Sequence, residues 1–248
     1  MSQVQSFERS IHRSRMSLTR PDRPKTFTMH GREWDLLDAV FAPVFSPSTG
    51  IALEFLDLAG AHARPAAGRS SFLEIGCGTG VIAVTAALAG YGRVVAADIS
   101  PQAVENAAVN AERHGVEDRL SAVHSDLFSG LPEDERFDTV FWSSNYVLAP
   151  ESYEYRSVHE RAYVDTGYRA HRRYLEQAPR WLAPGGVVLL HFSDRGDLPA
   201  LHRIAQECGR ELRVLRSLPV REGEYGEDTV EHMLLQVLPV PPVPPVRA

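Results

Sequence analysis

Phe72-Leu73-Glu74-Ile75-Gly76-Cys77-Gly78-Thr79-Gly80 joins an apolar run to a helix-forming run through three glycines at alternate positions. Phe72, Leu73 and Ile75 drive the first part into a buried strand. The glycines then let the backbone turn sharply and approach a ligand with no side chain in the way. A strand that leaves through such a turn into a helix is built to hold a nucleoside cofactor.

The same alternation continues downstream. Residues 71–75 read as a strand and 80–89 as a helix, and Val94-Val95-Ala96-Ala97-Asp98 is a second buried strand. A helix over 101–114 opens with Pro101 in its first turn. A strand over 120–124 follows, then Phe137-Asp138-Thr139-Val140-Phe141-Trp142. A long helical stretch over about 158–183 stops at Pro184-Gly185-Gly186, and Val187-Val188-Leu189-Leu190-His191-Phe192 is another continuous apolar strand. A helix over 198–209 and strands over 211–217 and 230–237 complete the pattern. Near-continuous apolar strands alternating with helices predict a parallel sheet covered on both faces, a Rossmann-like doubly wound α/β fold of seven strands. Only Pro219 to Asp228 separates the last two strands, too short for a helical crossover, so they are expected to pair as an antiparallel hairpin.

Upstream, residues 1–30 read as a basic, weakly helical arm with Phe7, Ile11 and Leu18 at rough helical spacing. Arg9, Arg13, Arg15, Arg20, Arg23 and Lys25 against Glu8 and Asp22 leave a charge of +4 over residues 1–25. No aromatic residues interleave with these charges, which favours a solvated arm or lid over an RNA-gripping tail. Trp34, Leu36, Leu37, Val40 and Phe41 begin an apolar segment that ends at Pro43-Val44-Phe45-Ser46-Pro47. Ser48 and Thr49 can cap a helix to about residue 61, and the Ala/Gly/Pro-rich stretch 62–69 is a linker. Three parts result: an arm and N-terminal helix over 1–61, a cofactor-binding domain over 62–238, and a Pro-rich tail over 239–248.

With 248 residues and 44% hydrophobic content the chain can bury one substantial core. A formal charge of -6 speaks against a general polyanion binder, so no nucleic-acid partner is expected. No run approaches the ~18 apolar residues of a membrane span, and residues 1–25 lack the apolar core of a secretory signal, so the expected location is cytoplasmic, without a membrane partner. Cys77 and Cys208 make no metal-ligand spacing, and no metal is expected.

The glycine turn admits two cofactors. Gly78-Thr79-Gly80-Val81-Ile82-Ala83 satisfies the dinucleotide pattern G-x-G-x-x-G/A, with Asp98 near the ~20-residue offset for a ribose hydroxyl. As Glu74-Ile75-Gly76-Cys77-Gly78-Thr79-Gly80, an acidic residue followed by three alternating glycines, it resembles the first motif of the class I S-adenosylmethionine-dependent methyltransferases. The resemblance runs from about residue 44 to 194 and looks nearest to the release-factor glutamine methyltransferases and their small-molecule-modifying relatives. Val44-Phe45-Ser46-Pro47 with Ser48-Thr49, and Asp165-Thr166-Gly167-Tyr168 followed by Trp181-Leu182-Ala183-Pro184-Gly185-Gly186, match segments of that family. The resemblance implies S-adenosyl-L-methionine as cofactor. Glu74, Gly76, Cys77, Gly78 and Gly80 would line its turn, with Asp98 and Ile99 at the ribose. Asp126 would accept from the adenine amine, Leu127 would lie against the ring, and Ser143 would be a further cofactor contact.

The chain departs from its resemblance where the acceptor would bind. Release-factor methyltransferases carry Asn-Pro-Pro-Tyr after the fourth strand, gripping the amide nitrogen beside the transferable methyl; here the residues are Ser143-Ser144-Asn145-Tyr146. Both stiffening prolines are gone, which puts amide methylation in question, and Asn145 is expected to take a polar role from a shifted position. Six of the eight tyrosines, Tyr146, Tyr153, Tyr155, Tyr163, Tyr168 and Tyr174, lie in the stretch that covers the reactive end of the cofactor. A desolvated tyrosine face attracts a cation such as a sulfonium by ~0.5–2 kcal/mol. Asn145, Tyr146, Tyr168 and Ser193 are therefore the candidate catalytic residues. His191 and His30 are base candidates for which a structural role is the stronger reading. The expected reaction is methyl transfer to a small-molecule acceptor. The alternatives are ring closure of the cofactor's own amino-acid part, as in enzymes resembling azetidine-2-carboxylate synthases, with release of methylthioadenosine, or a non-catalytic cofactor-binding module.

Overall fold

The structure is a computed structural model and describes residues 6–60, 63, 68–222 and 228–240. Most of the 62–69 linker and residues 241–248 of the Pro-rich tail lie outside the described residues. The helices are α1 (Phe7–Thr19), α2 (Ser48–Phe55), α3 (Val81–Ala89), α4 (Pro101–Arg113), α5 (Arg169–Gln177) and α6 (Leu198–Glu207). The strands are β1 (Thr26–Met29), β2 (Arg32–Asp35), β3 (Ser71–Ile75), β4 (Arg93–Asp98), β5 (Leu120–His124), β6 (Phe137–Ser143), β7 (Leu148–Ala149), β8 (Asp165–Thr166), β9 (Leu182–Ser193), β10 (Arg210–Glu222) and β11 (Asp228–Pro239). Short 3-10 turns occupy Pro43–Phe45, Val158–Ala162 and Ala178–Trp181. Among the described residues no helix is long and apolar enough to cross a membrane.

The seven-stranded sheet has the order β10-β11-β9-β6-β3-β4-β5, and β11 alone runs against its neighbours. This is the expected α/β fold with its antiparallel C-terminal hairpin. All five residues of β3 are buried, because helices cover both faces. Alternation divides them: Phe72 joins the core beneath α2, α3 and α4, while Leu73 and Ile75 join the core beneath α5 and α6. The chain moves outward from β3 through β4 to β5, then returns to the other side of β3 as β6. The crevice between the carboxyl ends of β3 and β6 is thus the switch point at which open α/β sheets bind ligands.

Several local expectations are corrected. The arm is helical only to Thr19; residues 26–35 form the hairpin β1–β2, turned by His30 (φ 48°) and Gly31 (φ 72°), a two-residue turn with both central residues left-handed. The helix expected to reach residue 61 ends at Phe55. The long helix expected over 158–183 is instead a 3-10 turn, the strand β8, α5 and a second 3-10 turn. Gly167 (φ 58°) and Tyr168 (φ 51°) are consecutive left-handed residues that break it before α5, and Pro179 ends the regular α-helix after it. β10 is longer than expected and contains Pro219, tolerated because β10 is an edge strand.

Buried side chains tie the N-terminal segment to the sheet. Asn106 and Asn110 on α4 accept from the backbone N–H groups of Leu37 and Asp35 at 2.8 Å each and donate to the Asp35 carbonyl; Asn110 also donates to the Thr79 carbonyl at 2.9 Å. The glycine turn and the segment at 35–37 are therefore held by one helix face. Farther upstream, the Arg23 guanidinium donates to the carbonyls of Ser17, Leu37 and Val40. The Ser14 hydroxyl meets His159 Nδ1 at 2.8 Å, which fixes α1 against the turn at 158–162.

Two expectations test this packing. At Gly80 (φ 78°) an added Cβ would lie 2.7 Å from the Ala107 Cα on α4, whereas at Gly78 it would meet nothing within 4 Å. Gly80→Ala should cost about 1–3 kcal/mol and lower Tm by roughly 5–10 °C in a thermal melt, with Gly78→Ala costing clearly less. Burial holds His159 down at about 4. Its folded pKa lies below that of an unfolded histidine, so the unfolded chain takes up a proton that the folded chain refuses. Stability should fall by up to about 3 kcal/mol as pH drops from ~6.5 to 4, and His159→Asn should flatten that part of the Tm-versus-pH curve.

Candidate active site

A cavity of about 200 Å³ opens at the carboxyl ends of β3, β4 and β6. Its floor is the glycine turn, and each glycine is required for a different reason. Gly76 (φ 67°) passes beneath Trp142, whose indole nitrogen would lie 3.2 Å from an added Cβ. Gly80 presses on α4. Gly78 (φ 53°) faces open space on the cavity wall, where a side chain would occupy the volume a ligand needs. The turn is pinned by Gly76 N–H and Cys77 N–H donating to the Ala97 carbonyl at 2.8 and 3.1 Å.

The sequence-predicted acids divide into three roles. Asp98 accepts from Gly78 N–H on one oxygen (2.9 Å) and from Ser100 N–H on the other (2.8 Å), so its carboxylate enters the cavity already oriented. Burial raises its pKa above the usual carboxylate range, and a hydrogen-bonding ligand would offset that cost. Glu74 also lines the cavity, but it is buried and accepts from Ala83 N–H at 2.8 Å, which fastens the first turn of α3 to β3. Burial pushes its carboxyl well up. Asp126 stands at the rim, where Arg173 Nη1 donates to both oxygens at 2.9 Å. Ile99, Leu127 and Cys77 give the cavity apolar wall between these groups. Oriented acceptor, open glycine and apolar walls fit a nucleoside cofactor.

From the last residue of β6 into the loop after it, Ser143, Ser144, Asn145 and Tyr146 all line the cavity. Ser144 is buried and donates to the His191 carbonyl at 2.9 Å. The Asn145 Nδ2 donates to two carbonyls, Arg161 at 2.6 Å and Val164 at 2.8 Å, which fixes the amide's orientation. Its Oδ1 is buried and has no hydrogen-bond partner among the described residues. Burial pushes the Tyr146 phenol up to about 12, so it stays a neutral hydroxyl.

Two candidate catalytic residues do not reach the cavity. Tyr168 is fully buried in the left-handed conformation; its hydroxyl donates to the Tyr146 carbonyl at 2.7 Å and accepts from Asp197 N–H at 2.8 Å. Ser193 is buried behind Tyr146 and accepts from Arg195 N–H at 3.3 Å. Both brace the loop rather than face a reactant, and their places at strand and helix ends gave no hint of this in sequence. Of the six clustered tyrosines, Tyr146, Tyr155 and Tyr163 line the cavity. Tyr174 is core, donating to the Leu189 carbonyl at 2.8 Å. His30 sits in the β1–β2 turn, off the cavity wall. Cavity residues that sequence reasoning missed include Arg13 from α1 and Arg161, whose guanidinium lies 4.5 Å from the Tyr155 ring centroid. The arm's basic residues carried no pattern that singled out Arg13.

An oriented carboxylate after the second core strand and a three-glycine turn at the switch point define a nucleoside-binding α/β fold. Residues 68–224 match the family model described as methyltransferase domain, and the chain belongs to that family. It is 33% identical over 156 residues to the release factor glutamine methyltransferase of Chlorobaculum tepidum, a span covering 57% of this chain and 52% of the relative. It is 31% identical over 137 residues to the ribosomal protein uL3 glutamine methyltransferase of Burkholderia pseudomallei, covering 50% of this chain and 45% of the relative. The chain thus spans about half the length of these curated relatives. Its fold is shared by the 16S rRNA N2 G1207 methyltransferase of T. Thermophilus in complex with AdoMet and guanosine, with a TM-score of 0.51 at 19% identity over 85% of this chain and 48% of that one.

The chain therefore carries a methyltransferase domain, and S-adenosylmethionine is its cofactor. Two expectations about its partners are corrected. A small-molecule acceptor is overturned by relatives whose names give a protein glutamine as the acceptor. The exclusion of nucleic acid fails as well, since the same fold carries an rRNA methyltransferase. The physical reason is that net charge averages over the whole surface, whereas an acceptor is recognised locally around one cavity. Ring closure of the cofactor finds no support among these relatives.

Asp98→Ala tests the cofactor assignment. Hydrogen bonds to a charged group contribute about 1.5–3 kcal/mol each. The variant should bind S-adenosylmethionine at least ~10-fold more weakly by calorimetry, and unchanged affinity would remove Asp98 from the ribose site.

Proposed function

We propose that the protein methylates a side-chain amide nitrogen of a protein acceptor, of the glutamine type. The observation that carries this reading is Asn145. Asn145 lines the cavity, its Nδ2 is spent on two backbone carbonyls, and the group it has left is a buried oxygen in want of a donor. An amide N–H is a donor of the right kind, and leaving such an oxygen unmatched costs about 1–3 kcal/mol. The loss of the stiffening prolines is offset by these two hydrogen bonds, which hold the loop's amide without them.

The cofactor, when bound, supplies a methyl carbon activated by positively charged sulfur. Asn145 Oδ1 accepts from one amide N–H and sets the nitrogen's lone pair toward that carbon, the alignment on which a displacement depends. Trp142, Tyr146 and Tyr163 wall the cavity and exclude water. The relatives' names support the same acceptor class.

The test uses methyl-labelled S-adenosylmethionine incubated with the protein and an extract of cells lacking it, followed by digestion and mass spectrometry. Label on a glutamine or asparagine side-chain nitrogen is expected; label confined to other atoms sinks the reading. Asn145→Ala should lower kcat by ~10²-fold or more while S-adenosylmethionine Kd stays within about 2-fold. Full turnover would take Asn145 out of the site.

A further inference from the structure

Behind Ser143 a single line of polar side chains crosses four neighbouring strands, from the cavity toward the sheet edge. The Ser143 hydroxyl on β6 lies 3.1 Å from His191 Nδ1 on β9. His191 Nε2 lies 2.9 Å from His232 Nδ1 on β11, and His232 Nε2 lies 2.8 Å from Glu222 Oε1 on β10. The other Glu222 oxygen accepts from Arg195 Nε at 2.9 Å. Ser143 stands on the cavity wall, whereas His191, His232 and Glu222 are buried. Their strand neighbours Leu189, Leu190, Phe192, Met233, Leu234 and Leu235 show what packing alone would place there. Burying three titratable groups in such strands is costly unless every one is matched.

The line has a direction. Glu222 is a carboxylate: burial would raise its pKa, but the His232 hydrogen bond and Arg195 outweigh it and hold the group below its ordinary value. A carboxylate only accepts, so His232 donates from Nε2 and, with a single ring proton, offers Nδ1 to His191. His191 then donates from Nε2 and offers Nδ1 to the serine. Burial holds His191 down at about 3, so it stays neutral. Each donor points away from the cavity, and the Ser143 oxygen presents its lone pairs to whatever binds there.

We infer that Ser143, His191, His232 and Glu222 form a proton relay that strips the acceptor nitrogen of its proton. The inference rests on the amide-nitrogen reading above. Ser143 is the catalytic residue of the four; the others are positioning residues that carry its proton inward. A nitrogen that has gained a methyl must lose a proton to return to a neutral amide. Its N–H bond breaks toward Ser143 Oγ, the electron pair staying on nitrogen. The serine proton passes to His191 Nδ1, the His191 Nε2 proton to His232 Nδ1, and the His232 Nε2 proton to Glu222 Oε1. One N–H bond has been exchanged for one carboxyl O–H bond, and both imidazoles remain neutral with their tautomers exchanged. After product release the same hops in reverse return the proton to water in the emptied cavity.

Glu222→Gln tests the direction without changing shape. Its oxygen must accept from Arg195 Nε, which turns its NH2 toward His232 and reverses every donor in the line. Nitrogen-15 histidine NMR of the full chain should show Nε2–H tautomers for His191 and His232 in the native protein and Nδ1–H tautomers in E222Q. With the methyl-accepting peptide found by the labelled digest, kcat of E222Q should fall ~10²–10⁴-fold while S-adenosylmethionine Kd stays within about 2-fold. Ser143→Ala removes only the cavity end; it should lower kcat by ~10²-fold with both tautomers unchanged, and it decides the matter should E222Q not fold. Nδ1–H tautomers or a doubly protonated His232 in the native protein, or full kcat in either variant, would overturn the relay. A native protein that labels no peptide nitrogen overturns the amide reading itself, and the relay with it.

Discussion

The turn out of β3 runs so close to α4 that a Cβ at position 80 would lie 2.7 Å from the Ala107 Cα and 2.8 Å from its Cβ. That contact fixes the spacing between α3 and α4, and through it the floor of the cavity. Asn110, one helical turn beyond Ala107, donates to the Thr79 carbonyl while also donating to Asp35, so the same helix face carries both the turn and the N-terminal segment. Glu74 closes the arrangement from below by accepting from Ala83 N–H. A buried carboxyl in that place fastens the helix start to β3.

The loop that would meet an acceptor is held from behind in a comparable way. Asp165 accepts from the backbone N–H of Ala170 and His171 and meets His171 Nδ1 at 2.7 Å, which anchors the start of α5. Tyr168, forced into the left-handed region just before that helix, sends its hydroxyl to the Tyr146 carbonyl. The stretch Asp165-Thr166-Gly167-Tyr168, which resembles a family segment in sequence, therefore acts here as a brace. Its carboxylate is consumed by two backbone N–H groups and the His171 ring and its phenol by backbone groups, and what they deliver to the cavity is the position of Tyr146 and Asn145.

Much of the fold was legible because β3, β4, β6 and β9 are buried on both faces, and such strands write themselves as unbroken apolar runs. The C-terminal hairpin was legible from loop length alone. The broken helix at 158–183 was not: Gly167 is visible in sequence, but nothing local says that Tyr168 will follow it into the left-handed region, since that conformation is held by tertiary contacts of its hydroxyl. The β1–β2 hairpin carried a weak signal in His30-Gly31 that the basic composition of the arm obscured. In the site, Asp98 and the glycines were readable from their places at strand ends. Tyr168 and Ser193 were misplaced because a strand end fixes a residue's height in the sheet and not the direction of its side chain. His232 lies 41 residues from His191, and only the register between β9 and β11 brings them together.

The reversal of β11 explains why the polar line exists at all. Had the sheet ended at β9, His191 would lie on an open edge, where water would match its Nε2 and no fixed direction would follow. Adding β11 antiparallel buries that edge and replaces water with an imidazole whose other nitrogen is already committed to Glu222. β10 then supplies the carboxylate, and Arg195, leaving β9 at its end, supplies the cation that stabilises its charge. Each partner comes from a separate strand, so the chain of donors is complete only when the hairpin is seated. Sheet closure and the state of the Ser143 hydroxyl are in this way one structural event: the strand that shields the edge from solvent also decides which way the proton at the cavity wall points.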